Sequence, residues 1–330
     1  MKKILIIILF IIVLNSSACG VNTIEPLSRT GFHLGTIVTI KIYGGNGEDS
    51  LDRIFGEIER LESILSKHIE GSDIDRINAA AGIVSVELQP ETVVVLAESI
   101  RYYELSKGYF DITVGPLVRL WGIGTDEAAV PSDSDLKTAL AMVNIDELNF
   151  YNNTAGLSSA GMSIDTGGIS KGYIADKVAE IVKDEECSGA VINLGGNVLT
   201  VGEKPDGSRW KIGIQNPFKA TGEYMSVAEV EEMSVVTSGP YERNFEENGI
   251  VYHHILDPFT GYPVVNDIAG ITIISEKSID GDGLSTSVFA MGADAGLELI
   301  ESIENTECYI VLNDGALIMS SGFSKYIVLN

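Results

Sequence analysis

A chain of 330 residues is long enough for one large domain or two ordinary ones, and 45% apolar content supplies a globular core. A net charge of −25 excludes nucleic acid as a partner, because no basic stripe is present to neutralise phosphates, and it equally excludes electrostatic docking on anionic lipid. An anionic ligand therefore needs local compensation, from a lysine, a helix end or a metal ion.

The first residues read as a targeting signal rather than as part of the fold. Met1-Lys2-Lys3 is a positive region, residues 4–14 are an apolar run too short to span a bilayer, and Ser16-Ser17-Ala18-Cys19 follows. Small residues ending in a cysteine resemble a bacterial lipoprotein signal, in which Cys19 is lipidated (palmitate is the usual chain) and becomes the new N-terminus. Ser16 stands where leucine is usual. The expected organisation is a signal peptide over 1–19, a tether over 20–30 and one folded unit over 31–330, held by its lipid outside the cytoplasmic membrane. With Cys19 set aside, Cys187 and Cys308 either pair or stay as thiols; neither has the spacing of a zinc site.

In chain order, residues 36–43 alternate as a strand and the glycines at 44, 45 and 47 end it. Residues 48–68 form an amphipathic helix with Leu51, Ile54, Phe55, Ile58, Leu61, Ile64 and Leu65 on one face. A second helix over 90–107 opens with a proline and closes before Gly108. Residues 108–124 are dense in aromatic, glycine and proline residues, which suits either a planar ligand or aromatic core at a bend. A short helix over 132–142 and a hairpin turning at 149–153 follow. Residues 157–164 alternate as a strand ending at Asp165, Gly167-Gly168 turns, and Lys171 opens a helix with Ile174, Val178, Ile181 and Val182 at helical spacing. Further strands are expected at 190–194, 210–215, 226–231, 234–237, 252–256, 269–275, 307–313 and 324–329, with helices at 283–291 and 293–303. Strands and helices without strict alternation indicate an α+β fold.

Glycines at a strand-to-helix turn let backbone N–H groups approach an anion, and Lys171 adds a full positive charge there; an ordinary turn with a surface lysine fits the same residues. Asp282 and Thr286 are four apart, so on a helical turn their oxygens share one face. With backbone carbonyls they suit a hard cation such as Mg²⁺, although an N-capping aspartate before a mid-helix threonine also explains the pair. His253 and His254 lie on opposite faces of a regular strand, so one can face the core and the other a cleft.

Seven blocks in order resemble the ApbE family of flavin transferases (FAD:protein FMN transferase), from about Gly31 to the C-terminus. They are Phe110-Asp111-Ile112-Thr113-Val114-Gly115-Pro116-Leu117-Val118 with Trp121-Gly122, residues 165–176, Ile192-Asn193-Leu194-Gly195-Gly196-Asn197, residues 212–217, Thr237-Ser238-Gly239, His253-His254-Ile255-Leu256-Asp257-Pro258 with residues 260–263, and residues 282–286. The resemblance implies a single large catalytic unit of mixed, T-fold-like sheets with packed helices. It implies a reaction in which FAD and a threonine or serine hydroxyl give phosphoester-linked FMN and AMP. The acceptors it implies are flavin-carrying subunits of membrane redox pumps or other extracytoplasmic flavoproteins. It assigns Mg²⁺ to Asp282, Thr286 and the Gly168 carbonyl, with Ser285 in the same block, and catalysis to His254. Leu34, Phe110, Asp111, Asp165, Lys171, Asn197, Ser238, Gly239 and Leu256 fall at positions of its FAD site. Two other functions fit the same residues: an FAD pyrophosphatase, with water in place of the acceptor, and a flavin-binding lipoprotein without chemistry.

Overall fold

The computed structural model describes residues 25–327. The expected signal peptide, Cys19 and the first half of the expected tether lie outside those residues. The rest of the tether is not a tether: Leu27–His33 is an edge strand (β1) paired along its whole length with β2 (Thr36–Gly44). The two join through Leu34-Gly35, both at positive φ (55° and 67°), the turn geometry that matches strand twist.

Next come α1 (Glu48–Leu65), α2 (Asp73–Ala79), β3 (Val86–Glu87), α3 (Pro90–Leu105), α4 (Gly115–Trp121) and α5 (Asp133–Leu140). The hairpin β4 (Leu148–Tyr151) and β5 (Thr154–Leu157) leads to α6 (Ser170–Asp184), then β6 (Cys187–Leu194), β7 (Asn197–Gly202), β8 (Trp210–Gln215), β9 (Tyr224–Val230) and β10 (Ser234–Ser238). The chain closes with β11 (Asn244–Glu247), β12 (Ile250–His253), β13 (Ile268–Ser275), α7 (Ser278–Met291), α8 (Ala293–Glu301), β14 (Glu307–Leu312) and β15 (Leu317–Met319).

An eight-stranded, wholly antiparallel sheet in the order β1-β2-β6-β7-β10-β13-β14-β15 is the frame, and the fold is α+β. Alternation along its strands sends one set of side chains, among them Val38, Ile40, Ile192, Ile271 and Ile273, against α1, α3, α6 and α7. The opposite set, including Val235, Ile274 and Tyr309, packs on the β8–β9 hairpin through Trp210, Ile214 and Val230. A third cluster, Leu117, Trp121, Leu136 and Leu256, absorbs the aromatic stretch as core, and Trp121 Nε1 donates to the Gly261 carbonyl at 2.8 Å.

Several local expectations change. Residues 158–161 bend and turn and 162–165 join no ladder, because their backbone is satisfied elsewhere: Ile164 N–H by the Asn78 side chain and Asp165 N–H by the Ile112 carbonyl, both at 2.7 Å. The expected C-terminal strand is a 3-10 turn at Phe323–Lys325 that buries Phe323; residues 328–330 lie outside the described residues. Most consequential, α7 starts five residues earlier than the sequence suggested. Gly281 and Gly283 lie within it and serve close packing: a methyl group on them would lie 2.7 Å from Val236 and 2.6 Å from the Tyr102 ring. Cys187 and Cys308 sit on β6 and β14 with three strands between them, roughly 19 Å at ordinary strand spacing, and both are free.

α6 and α7 cross in close backbone contact. A methyl group on Gly172 would lie 2.3 Å from the Ser278 carbonyl oxygen, whereas one on Gly56, in α1, meets nothing within 4 Å. Gly172→Ala is therefore expected to destabilise by about 1–3 kcal/mol through overpacking. Gly56→Ala should stabilise by about 0.5–1 kcal/mol through helix propensity. Urea unfolding of the two variants beside the parent checks both signs.

Candidate active site

The site forms where α6 and α7 cross beneath the turn at 165–168. Asp176, on α6, accepts from the amides of Ser278 and Ile279 at 2.7 and 3.0 Å, and so caps the start of α7. In return Asp282, on α7, accepts from the amide of Gly172 at 2.9 Å in the first turn of α6. Asp282 is thus no N-cap of its own helix; it sits inside α7, almost fully buried. Its other oxygen faces the Lys171 ammonium at 3.6 Å. Burial pushes the Asp176 carboxyl up to about 6, against the pull of the two amides.

The Gly167-Gly168 turn is built by Asp165. Its Oδ1 accepts from Gly167 N–H at 2.8 Å and its Oδ2 meets the Lys67 ammonium at 2.6 Å. Burial pushes this carboxyl up, but Lys67 and the amide outweigh that and hold it below the usual carboxylate range. Gly168 then lies against α7, where a methyl group would fall 3.3 Å from Thr286 Oγ1 and 3.2 Å from Phe110. Thr286 is the one residue of 281–290 that is not fully buried. Gly168, Asp282 and Thr286 therefore converge and offer only oxygen donors, a set that fits a hard cation. Among the described residues no group of three or more His, Cys, Asp or Glu is arranged to hold a metal.

The two histidines separate as a strand predicts. The His253 ring is buried and fully used: Nε2–H donates to the Val264 carbonyl at 2.8 Å and Nδ1 accepts from Ile255 N–H at 3.3 Å. His254 follows β12 directly and its ring opens to the cleft. Its Nδ1 lies 3.3 Å from the Arg243 carbonyl, which can only accept, so the proton sits on Nδ1 and the Nε2 lone pair is left for the cleft. Burial pushes this imidazole down to about 4; Arg243, His253 and Lys171 push the same way against the Arg243 carbonyl.

The remaining expected site residues divide. Leu34 is at the tip of the β1–β2 hairpin, with its amide donated to Glu62 Oε1 at 2.8 Å. Beside it Gly35 approaches the Arg243 guanidinium, 3.8 Å from the position of a methyl group. Asp111 is half-buried and caps the short turn after it, accepting from Thr113 N–H and Oγ1 at 2.7 and 2.6 Å; burial raises its carboxyl against those bonds. Others point inward. Ser285 and Ser238 bond each other at 2.9 Å in the helix–sheet interface, and Ser285 also donates to the Asp282 carbonyl, so Ser285 is not aimed at the Gly168 turn. Gly239 packs under the Tyr241 ring, Phe110 under Gly168, and Leu256 in the third core cluster. Asn197 is buried beneath the start of α7, where its Oδ1 accepts from Ser278 Oγ at 2.5 Å; its Nδ2 has no partner among the described residues.

Two residues at the site were missed in the sequence. Arg243 supplies the carbonyl that orients His254 and threads its side chain between Gly35 and Gly124. Glu242, on the rim, has its carboxyl pushed up to about 7 by the loss of water around it and by Asp282, with Lys171 and Arg243 opposing. The only signal was an adjacent acid and base just after the Ser238-Gly239-Pro240 turn.

If the His254 assignment is right, ¹⁵N NMR at pH 7 shows a neutral ring protonated at Nδ1. Its titration midpoint should lie near 4, and a midpoint near 6.5 would remove the crowding on which the site depends.

Comparisons with known proteins find relatives along most of the chain. A model of the ApbE family matches residues 34–310. The FAD:protein FMN transferase of Treponema pallidum is 30% identical over 329 residues, covering 92% of this chain and 91% of that protein. That of Klebsiella pneumoniae is 34% identical over 290 residues, covering 87% and 90%. Among solved structures, the ApbE protein of Thermotoga maritima gives a TM-score of 0.85 at 31% identity, covering 92% of this chain and 100% of that one. The flavin transferase ApbE of Vibrio cholerae gives 0.83 at 27%, covering 92% and 99%.

Proposed function

The chain belongs to the ApbE family, and from that premise we propose that it is an FAD:protein FMN transferase. A threonine or serine hydroxyl oxygen of an acceptor flavoprotein bonds to the FMN phosphorus of FAD, the P–O bond of the pyrophosphate breaks, and AMP leaves. The observation that carries this reading is His254 with its Nε2 lone pair left over, near enough to Lys171 for that ammonium to help hold its pKa down, and Lys171 itself 3.6 Å from Asp282.

Each residue has a role that follows from its surroundings. His254 Nε2 accepts the hydroxyl proton; its ring is neutral at physiological pH, and the arrival of a pyrophosphate beside it raises its basicity. The Arg243 carbonyl keeps the ring in the required tautomer. Lys171 places a positive charge at the start of α6, where an otherwise acidic chain must receive an anion. Asp165, already neutralised by Lys67, holds the turn in shape. Gly168, Asp282 and Thr286 are the residues that would hold Mg²⁺, which when bound neutralises pyrophosphate charge.

The location is part of the same proposal. The apolar run at 4–14 and the small residues before Cys19 support export and lipidation at that cysteine, which sets the enzyme on the outer side of the cytoplasmic membrane with extracytoplasmic acceptors.

Incubation of residues 20–330 with FAD, Mg²⁺ and an acceptor flavoprotein domain should give a fluorescent acceptor band and stoichiometric AMP. EDTA or Asp282→Ala should abolish both. His254→Ala should lower kcat by about 10²–10⁴-fold with FAD still bound. AMP and FMN without a labelled acceptor would make the protein a pyrophosphatase, and FAD binding with no AMP would make it a flavin carrier. In cells, Cys19→Ser should move the protein from the membrane to the soluble fraction, with loss of the acyl mass; retention on the membrane would refute the anchor.

A further inference from the structure

Arg243 serves the chemistry above through its main-chain carbonyl alone. Its guanidinium is free. Every other arginine in the chain donates to a carboxylate or a hydroxyl, whereas the Arg243 guanidinium has no acceptor among the described residues, not even Glu242 beside it. With 47 acidic side chains against 22 basic ones, an arginine that stays unpaired is the exception.

Two glycines mark the path of this side chain. A methyl group on Gly124 would lie 3.3 Å from its Cδ, and one on Gly35 would lie 3.8 Å from a terminal nitrogen. Both glycines have positive φ, 88° and 67°, a conformation that disfavours any side chain there. The guanidinium therefore ends, exposed, between the tip of the β1–β2 hairpin and the turn after α4. Its charge also reaches His254. Burial does most to push that ring down, and the Arg243 charge pushes the same way. A bare cation beside the base works against catalysis in the free enzyme, and a carboxylate paired with it returns basicity to Nε2.

Two kinds of anion come to this cleft, the phosphates of FAD and a carboxylate of the acceptor. The phosphates are met on the other wall, by Lys171 and by the oxygen set that fits a divalent cation, with the Asp282 charge matched by Lys171 at 3.6 Å. We propose that the Arg243 guanidinium is the group that selects the acceptor flavoprotein, by pairing with a carboxylate close to the hydroxyl that receives FMN. The inference rests on the transferase reading and names the residue that recognises the second substrate. A guanidinium presents its N–H groups as a flat fork matched to the two oxygens of a carboxylate, so the pair fixes direction as well as charge. Most of a chain with net charge −25 repels an acidic acceptor, so encounter favours the one approach that brings the hydroxyl to His254.

The test uses the mature chain with an acceptor domain whose threonine has an aspartate within a few residues, and with a version carrying asparagine at that place. The parent enzyme should show a KM about tenfold higher for the asparagine version, the loss expected for one partly exposed charge-assisted pair. Arg243→Gln should raise KM about tenfold for the aspartate acceptor and leave that for the asparagine version unchanged, because the two losses are the same interaction. KM for FAD should not move, and ¹⁵N NMR should still find the His254 proton on Nδ1, since the carbonyl of residue 243 is retained. Arg243→Glu should prefer an acceptor with lysine in place of the aspartate, a reversal that structural damage cannot produce. Equal losses on both acceptors overturn the proposal. So does a raised KM for FAD with acceptor KM unchanged, which assigns the guanidinium to a phosphate. Failure of the unsubstituted enzyme to label any acceptor while it cleaves FAD overturns the transferase reading itself, and is told apart by appearing without any substitution.

Discussion

Asp176 and Asp282 exchange caps: each helix of the crossing pair donates a carboxylate to the first turn of the other. A helix start that is buried leaves amides without partners, and here neither helix could satisfy them from its own N-cap residue, Ile169 or Lys277. The exchange fixes the crossing point, and the glycine at 172 lets the backbones approach closely enough for it. It is not free of cost. The Asp176 carboxyl is raised to about 6 in the fold, so the folded state holds its proton more tightly than the unfolded chain. Its contribution to stability is therefore present at low pH and is lost as pH rises through about 6.

That expenditure places Asp282 beside Lys171 at the mouth of the cleft. Because the Gly172 amide is already bonded to Asp282, the positive end of α6 is partly spent on the protein's own carboxylate. Anion binding at this helix start thus leans on the lysine side chain more than on the backbone. On the opposite wall, a main-chain carbonyl from Arg243 decides which nitrogen of His254 is basic. The two halves of the chemistry are held by different parts of the chain, one by a helix crossing and one by the corner between β10 and β12.

The sequence exposed those parts unevenly. The amphipathic helix α1 was plain from its periodicity, because it buries one complete face, and β13 from its nearly continuous apolar run, because it is buried on both faces. The Gly167–Lys171 turn and the Asp282/Thr286 pair were each legible from short spacings and glycines, but only the family resemblance joined the two into one grouping. What failed was anything satisfied by a distant partner. The start of α7 was hidden because its cap comes from Asp176, about a hundred residues earlier. Residues 158–165 alternate like a strand yet bond to the Asn78 side chain and a short helix. Ser285 sits beside two site residues in sequence but points into the sheet, since a helix turns each successive residue through roughly 100°.

The separation of Cys187 and Cys308 by three strands has a consequence for how the molecule withstands its surroundings. No covalent staple joins distant parts of the described fold, so its stability is carried by packing and hydrogen bonds alone. Maturation then needs no thiol-oxidising partner, and swings between oxidising and reducing conditions leave the folded state where it was. A protein handling a redox cofactor in this way keeps its own architecture indifferent to redox potential.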